Sequence, residues 1–352
     1  MTISLPQIGP QRNLERAFYI ICVAILWNFS PAIAIAADSA VVLMYHRFGE
    51  SYHPQNNIQL DQFDAHLEEL SKKKYHVLPL TKILSAIKTG KTLPQFTVAI
   101  TIDDAFKSVF TTAAPRLKSR GFPFTLFVST RAIESGSPNY MSWNQIRELR
   151  AGGATIGHKT HSYLHMARSG EKVVLSDIKS ANKRFQAELG FVPKLFAYPY
   201  GEANLIAMDA IKALGFEFAF GQHSGVVHRT SEPYFLPRFP LTEQYGSASR
   251  FRLIANALPL PISGVTPRNP APKRNPPSFG FTVDKTVESI SRLTCFHSKQ
   301  GKVQTERLGS HRIEVRFRAA LKHGRSRLNC TLPAPDGRWR WFGWQYFIPE
   351  DR

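Results

Sequence analysis

Thr97-Val98-Ala99-Ile100-Thr101-Ile102-Asp103-Asp104 (TVAITIDD) is an apolar, β-rich run that ends in two adjacent carboxylates. A run of this kind fits a strand buried on both faces, as in a parallel sheet. Outward from it, short β-rich runs at 41–45 (VVLMY), 123–128 (PFTLFV), 155–157, 195–198 and 217–220 alternate with helical patterns at 60–74, 80–88, 109–120, 143–151, 172–189 and 205–214. Gly90, Gly121, Gly152, Gly190 and Gly215 fall just past several of these helices, where a left-handed C-cap is wanted. The alternation predicts an α/β fold around a parallel sheet, open or closed into a barrel.

The chain has 352 residues, 43% of them apolar, which excludes global disorder and fibrous architectures and leaves room for a large domain with a smaller partner. Forty-five Lys+Arg against 26 Asp+Glu give a net charge of +19, which favours anionic surroundings and says nothing about fold. Residues 1–36 read as an export signal: Arg12 and Arg16, an apolar stretch over 17–29, then Ala34-Ile35-Ala36 as a cleavage pattern. Export places the chain in the periplasm or outside the cell. Cys295 and Cys330 are then the only cysteines of the mature chain. They are a possible disulfide in an oxidising compartment or, equally simply, two buried thiols. Three cysteines exclude a disulfide scaffold and a four-thiolate zinc site.

The strand–helix rhythm stops near residue 256. Seven prolines in 257–277 read as a linker or an extended crossing segment, and 278–352 as a basic all-β module; over 266–352 there are 17 Lys+Arg against 7 Asp+Glu. Within it, Trp339 and Trp341 share one strand face, as do Trp344 and Tyr346; a small β core accounts for them, with Arg338 and Arg340 on the other side. A carbohydrate platform is the competing reading.

Three places carry chemistry. Asp103 and Asp104 are costly to hold together unless something neutralises one of them. A metal ion on one would leave the other as a base; a helix N-cap with a first-turn acid is the plainer reading. His158, His161 and His165 follow a second strand, and His161 and His165, four apart, could share an ion on one helix face. Tyr198-Pro199-Tyr200-Gly201 ends a third strand in a turn whose backbone N–H groups suit an oxyanion. All three fall at the C-terminal ends of expected strands, where barrel and open-sheet enzymes place their sites.

TIDDAF, then HSYLH, then AYPYGE, in this order and spacing, resembles the NodB-type polysaccharide deacetylases (carbohydrate esterase family 4). The opening VLMYH at 42–46 resembles the extracellular poly-N-acetylglucosamine deacetylase branch, and the resemblance covers about 40–245. It implies a distorted (β/α) barrel over 37–256 and a metal-dependent hydrolase that removes N-acetyl groups from an envelope or extracellular polysaccharide. Asp103 would be the catalytic base. Asp104, His161 and His165 would hold one divalent ion, zinc as a rule, which activates water. The backbone at Tyr200 would stabilise the oxyanion. Counted from Gly157 in the family's usual spacing, however, Lys159 and Tyr163 take the ligand positions, and a lysine ammonium repels a divalent ion. Ala105 replaces the family's glycine, so a left-handed conformation there would be strained. The proton donor to the leaving amine is sought among His46, His223 and His228, and Arg238 either orients the base or a substrate or makes a structural ion pair. A relative that binds glycan without hydrolysing it is the rival reading, and the placement of Lys159 separates the two. The expected partners are an N-acetylated polysaccharide and, through the basic module, an anionic envelope polymer; the chain is expected to be a monomer and not to bind nucleic acid.

Overall fold

The computed structural model describes residues 1, 2, 4 and 36–350. The export signal read at 1–36 therefore lies almost entirely outside the described residues. Six strands run parallel in the order Phe218–Phe220, Leu195–Ala197, Thr155–His158, Phe124–Val128, Thr97–Asp103 and Ser39–Tyr45. The run that opened the sequence reading is central in this sheet, and all seven residues of Thr97–Asp103 are buried, as a strand covered on both faces requires. Val226–His228 adds antiparallel at the Ser39–Tyr45 edge. The sheet also closes. Leu236 bridges to Phe220 at one edge, and Phe239–Pro240 pairs with Leu43 and Met44 at the other. The short segment 236–240 thus joins the first strand to the last and makes a distorted barrel.

The helices lie where the periodicity placed them. Glu171–Leu189 buries Val174, Ile178, Ala181, Phe185 and Leu189, a single stripe at helical spacing, and stops at Gly190 with φ of 77°. After Trp143–Ala151 the left-handed residue is Gly153 (φ 99°) rather than Gly152 (φ −77°). The expected helix at 109–120 opens as a π-turn, Val109–Ala113, before Ala114–Lys118; Pro115 has no N–H to continue an ordinary ladder.

The C-terminal region is an eight-stranded sheet. Two of its strands, Leu258–Pro259 and Ile262–Thr266, come from the stretch read as a linker, and they are the outermost strands. Edge positions are where prolines cost no ladder bond, so a proline-rich segment can be sheet. Cys295 and Cys330 face each other on neighbouring strands and form a disulfide. Barrel and sheet share one core, in which Phe196, Tyr198 and Phe235 of the barrel join Phe279, Trp344 and Tyr346 of the sheet. Gly343 lies so close to the barrel that a Cβ would sit 1.9 Å from the Ser224 carbonyl oxygen. Trp344 and Tyr346 are core residues as expected, while Trp339 is at the surface. Arg338 and Arg340 do not stand free on the far side; Arg338 donates to the carbonyl of Asn256, at the end of the barrel's last helix, and Arg340 to that of Pro259 in the sheet's own edge strand.

Candidate active site

Asp103 ends its strand inside the barrel, fully buried, and is gripped from two directions. Leu236 and Phe239 are anchored to opposite edges of the barrel, so Arg238 between them reaches inward. Its guanidinium donates to both Asp103 oxygens, at 2.7 and 3.0 Å, and to the Gly221 carbonyl at 3.1 Å. From the strand Thr155–His158 comes Lys159, whose backbone N–H still bonds Val128 O. Side chains alternate along a strand, so Lys159 faces inward with Gly157, whose Cβ position is filled by the Phe127 ring. Lys159 Nζ lies 2.7 Å from Asp103 Oδ2 and 2.7 Å from Asp104 Oδ1, the first a directed hydrogen bond and the second an ion pair. The Tyr163 hydroxyl donates to Asp104 Oδ2 at 3.0 Å.

The charge state follows. Burial by itself would raise the Asp103 carboxyl, but Arg238 and Lys159 outweigh it and hold the carboxyl well below the usual carboxylate range. Burial raises the Tyr163 phenol, and the two aspartates add to that, so Tyr163 is a neutral donor. His46 Nε2 is 3.9 Å from Asp103 and 4.0 Å from Asp104. Burial lowers its pKa more than the carboxylates raise it, which keeps the ring neutral at pH 7. Asp104 and Ala105 both have positive φ, 76° and 47°, so the strain expected at Ala105 is present in the turn that presents the acid pair.

His161 and His165 do not join this group. Asp177, on the helix Glu171–Leu189, accepts from the His161 backbone N–H at 2.8 Å and from that of Ser162 at 3.1 Å. The His161 ring bonds Thr130 Oγ1 at 2.7 Å. These bonds pin the loop, with Thr160 and Tyr163 at φ of 66° and 61°, and a two-residue slip would break them. His165 stacks on the Tyr200 ring, with centroids 4.0 Å apart, and pairs with Glu202 at 2.8 Å. Asp104, His161 and His165 are therefore not a metal centre, and among the described residues no three His, Cys, Asp or Glu side chains converge to hold an ion. His223 and His228 are buried, and burial lowers their pKa to about 3 and about 4; neither approaches the acid pair.

A cavity of about 840 Å³ opens above the acid pair, between His46, Tyr163 and Tyr200 on one side and Lys299, Arg325 and Arg327 on the other. The second side belongs to the C-terminal sheet. Gln345 donates to the Tyr200 carbonyl at 3.0 Å, and the Arg325 guanidinium lies 5.1 Å from the Tyr200 ring centroid. Tyr200 itself is in the left-handed region, at φ 60° and ψ 2°. The sequence reading named Asp103, Asp104, His46, Tyr200 and Arg238 among its candidates, and these five come together here. It missed the basic wall, because nothing local in a β-strand tells which distant cavity its arginines face.

Residues 90–219 match the family model for polysaccharide deacetylase. The matched stretch is 130 of the 352 residues, and over it the chain is similar to polysaccharide deacetylases. A poly-beta-1,6-N-acetyl-D-glucosamine N-deacetylase of Staphylococcus aureus is 25% identical over 234 residues, covering 58% of this chain and 80% of that protein. The protein of the same name from Staphylococcus epidermidis is 26% identical over 230 residues, covering 57% and 78%. Among solved structures, IcaB from Ammonifex degensii superposes with a TM-score of 0.56 at 25% identity over 62% of this chain and 98% of its own. The Streptococcus pyogenes deacetylase PplD has the same fold, with a TM-score of 0.56 at 20% identity over 61% and 96%. These matches bear out the NodB-type barrel expected from the motifs. Metal dependence is general among deacetylases of this family, but the residues of this barrel do not fit an ion. Lys159 places an ammonium against both carboxylates, and a divalent cation at Asp104 would meet that charge at contact distance.

Proposed function

We propose that the protein is an exported polysaccharide deacetylase whose substrate is an N-acetylated glucosamine polymer held in the cleft above Asp103 and Asp104. The observation that carries this reading is the acid pair at the end of a central barrel strand, under a cavity large enough for sugar rings, in a domain with the family's motifs in order. The named activity of the staphylococcal relatives supports the substrate class. The export-signal reading of 1–36 and the Cys295–Cys330 disulfide support a periplasmic or extracellular location, where such bonds persist. No helix among the described residues is long and apolar enough to cross a membrane.

The roles proposed for this chain's own residues follow from their geometry. Asp103 is a fixed counter-charge, since both its oxygens are taken by cations. His46, neutral and within 4.0 Å of both carboxylates, is the group placed to move a proton at the cleft floor. The turn at Tyr200 offers a backbone N–H to the acetamide oxygen, while the Tyr163 hydroxyl is engaged with Asp104. One observation favours a second reading, glycan binding without hydrolysis: Lys159 closes the acid pair. A single experiment separates them. Purified protein is incubated with a β-1,6-linked N-acetylglucosamine pentamer, with zinc and with a chelator, while acetate release and pentamer binding are both measured. Acetate release lost in His46→Ala supports the deacetylase, and binding without acetate supports the second reading. Neither binding nor release would sink both.

A further inference from the structure

The basic C-terminal sheet packs against the barrel, and its position on the cleft gives its charge a narrower meaning. On the strand Gly324–Pro333, Arg325 and Arg327 are two residues apart and so point to the same face, the one turned to the barrel. Lys299 stands beside them at the end of the neighbouring hairpin, where Ser298 and Arg327 exchange hydrogen bonds. The charges around the cavity do not cancel. Asp104 is matched by Lys159, Arg47 by Glu50, and Arg325 by Glu202 at 3.4 Å. Lys299 and Arg327 have no carboxylate partner among the described residues. Arg327 is only partly exposed; its Nε donates to Gln222 O at 3.1 Å and to Gln345 Oε1 at 3.3 Å. Burial and the neighbouring Arg325 push its guanidinium below its usual value, and the Tyr245 phenol offsets them only in part. A half-buried guanidinium facing a cavity without a counter-ion is costly unless the cavity receives an anion.

We propose that the C-terminal sheet is the specificity wall of this cleft, and that Lys299 and Arg327 select an N-acetylated polysaccharide carrying carboxylate groups over a neutral one. This rests on the reading of the cleft as a glycan site and adds the charge class of the glycan. The barrel side supplies aromatic rings and the acid pair for the sugar and its acetamide. The sheet side supplies cations for an acidic substituent on a neighbouring ring, an arrangement suited to alternating uronate and N-acetylhexosamine.

The test uses a hyaluronan hexasaccharide, in which glucuronate alternates with N-acetylglucosamine, and the same hexasaccharide with its carboxylates reduced to alcohols. Binding of the full-length mature protein to each is measured by calorimetry at low and at physiological salt. The acidic form is expected to bind at least tenfold tighter, with the gap narrowing as salt rises. Lys299→Glu, at an exposed position that carries no packing, should cost fivefold or more for the acidic form and leave the reduced form unchanged. Arg327→Gln should do the same, with a melting curve to show that it is folded. Arg307→Glu, on an exposed strand of the same sheet and outside the cavity lining, should change neither. Equal affinity for the two forms, or a Lys299→Glu effect on both alike, overturns the charge selection and leaves the glycan reading standing. Failure of both hexasaccharides and of the neutral N-acetylglucosamine pentamer to bind overturns the glycan reading itself.

Discussion

At the end of the barrel strand Thr97–Asp103, two carboxylates and two cations meet within hydrogen-bonding reach and their formal charges cancel. Across the same cleft, on the strand Gly324–Pro333, Arg327 sits partly buried with no carboxylate beside it among the described residues. The two walls were built under different constraints. Inside the barrel a buried odd charge would be poorly solvated, so Arg238 and Lys159 balance the acid pair. The sheet wall borders an open cavity, where an uncompensated cation is tolerable and available to a ligand. A metal ion would have to displace one of the first wall's own cations, whereas an anionic group at the second wall displaces only water.

The largest expected effect comes from breaking the balance on the barrel side. Lys159→Met removes one of the two cations from a buried pair of acids, and should cost about 3–5 kcal/mol in urea unfolding. Lys159→His combined with Tyr163→His sharpens the same point, because it replaces the ammonium and the phenol with two imidazoles beside Asp104. That double variant should take up about one equivalent of zinc by elemental analysis where the natural protein takes none. Zinc in the natural protein, lost in Asp104→Ala, would show that Lys159 moves aside.

On the sheet side, removing the disulfide with Cys295→Ala and Cys330→Ala should lower stability by roughly 2–4 kcal/mol, read from the unfolding midpoint in the absence of reductant. No change with reductant in the natural protein would mean that the bond is not formed in solution.

Acid should weaken the barrel. Burial lowers the pKa of His158 and His223 to about 3 and of His228 to about 4. An unfolded histidine titrates near 6.5, so the contribution of these neutral rings is complete above about pH 6.5 and is lost as the pH falls toward 3. The depressed carboxyl of Asp103 acts in the same direction, its contribution being lost below the ordinary carboxylate range. The urea midpoint should be level from pH 8 to 7 and fall steadily below that, less steeply in His158→Gln. A flat profile down to pH 4 would contradict the burial of these rings. The smallest effect is local: Ala105→Gly relieves a φ of 47° and should stabilise by at most about 1 kcal/mol, because glycine also loosens the unfolded chain.

Much of the barrel was legible before any coordinates, because a parallel strand buried on both faces and a helix with one apolar stripe leave periodic marks in the chain. The strands at 41–45, 97–102 and 123–128 and the helix at 143–151 lie where those marks placed them. The same marks put Asp103, Asp104 and Tyr200 at strand ends. Proline content misled at 257–277, since the sequence shows that an N–H is missing but not that the strand lies at an edge.

The choice between Lys159 and the two histidines was undecidable by spacing, because both pairs, Lys159 with Tyr163 and His161 with His165, keep the same interval of four. What decided it was the bond from Asp177 to the loop amides, a contact made by a helix that follows in sequence and packs back. The unpaired cations of the sheet became part of the cleft only when a shared core docked that sheet on the barrel. Sequence thus determined what depends on neighbours along the chain: element type, strand ends, and the pattern of acids and histidines. Tertiary structure decided which side chains face one another across it, since ion pairing falls steeply with distance in three dimensions and is blind to separation in sequence.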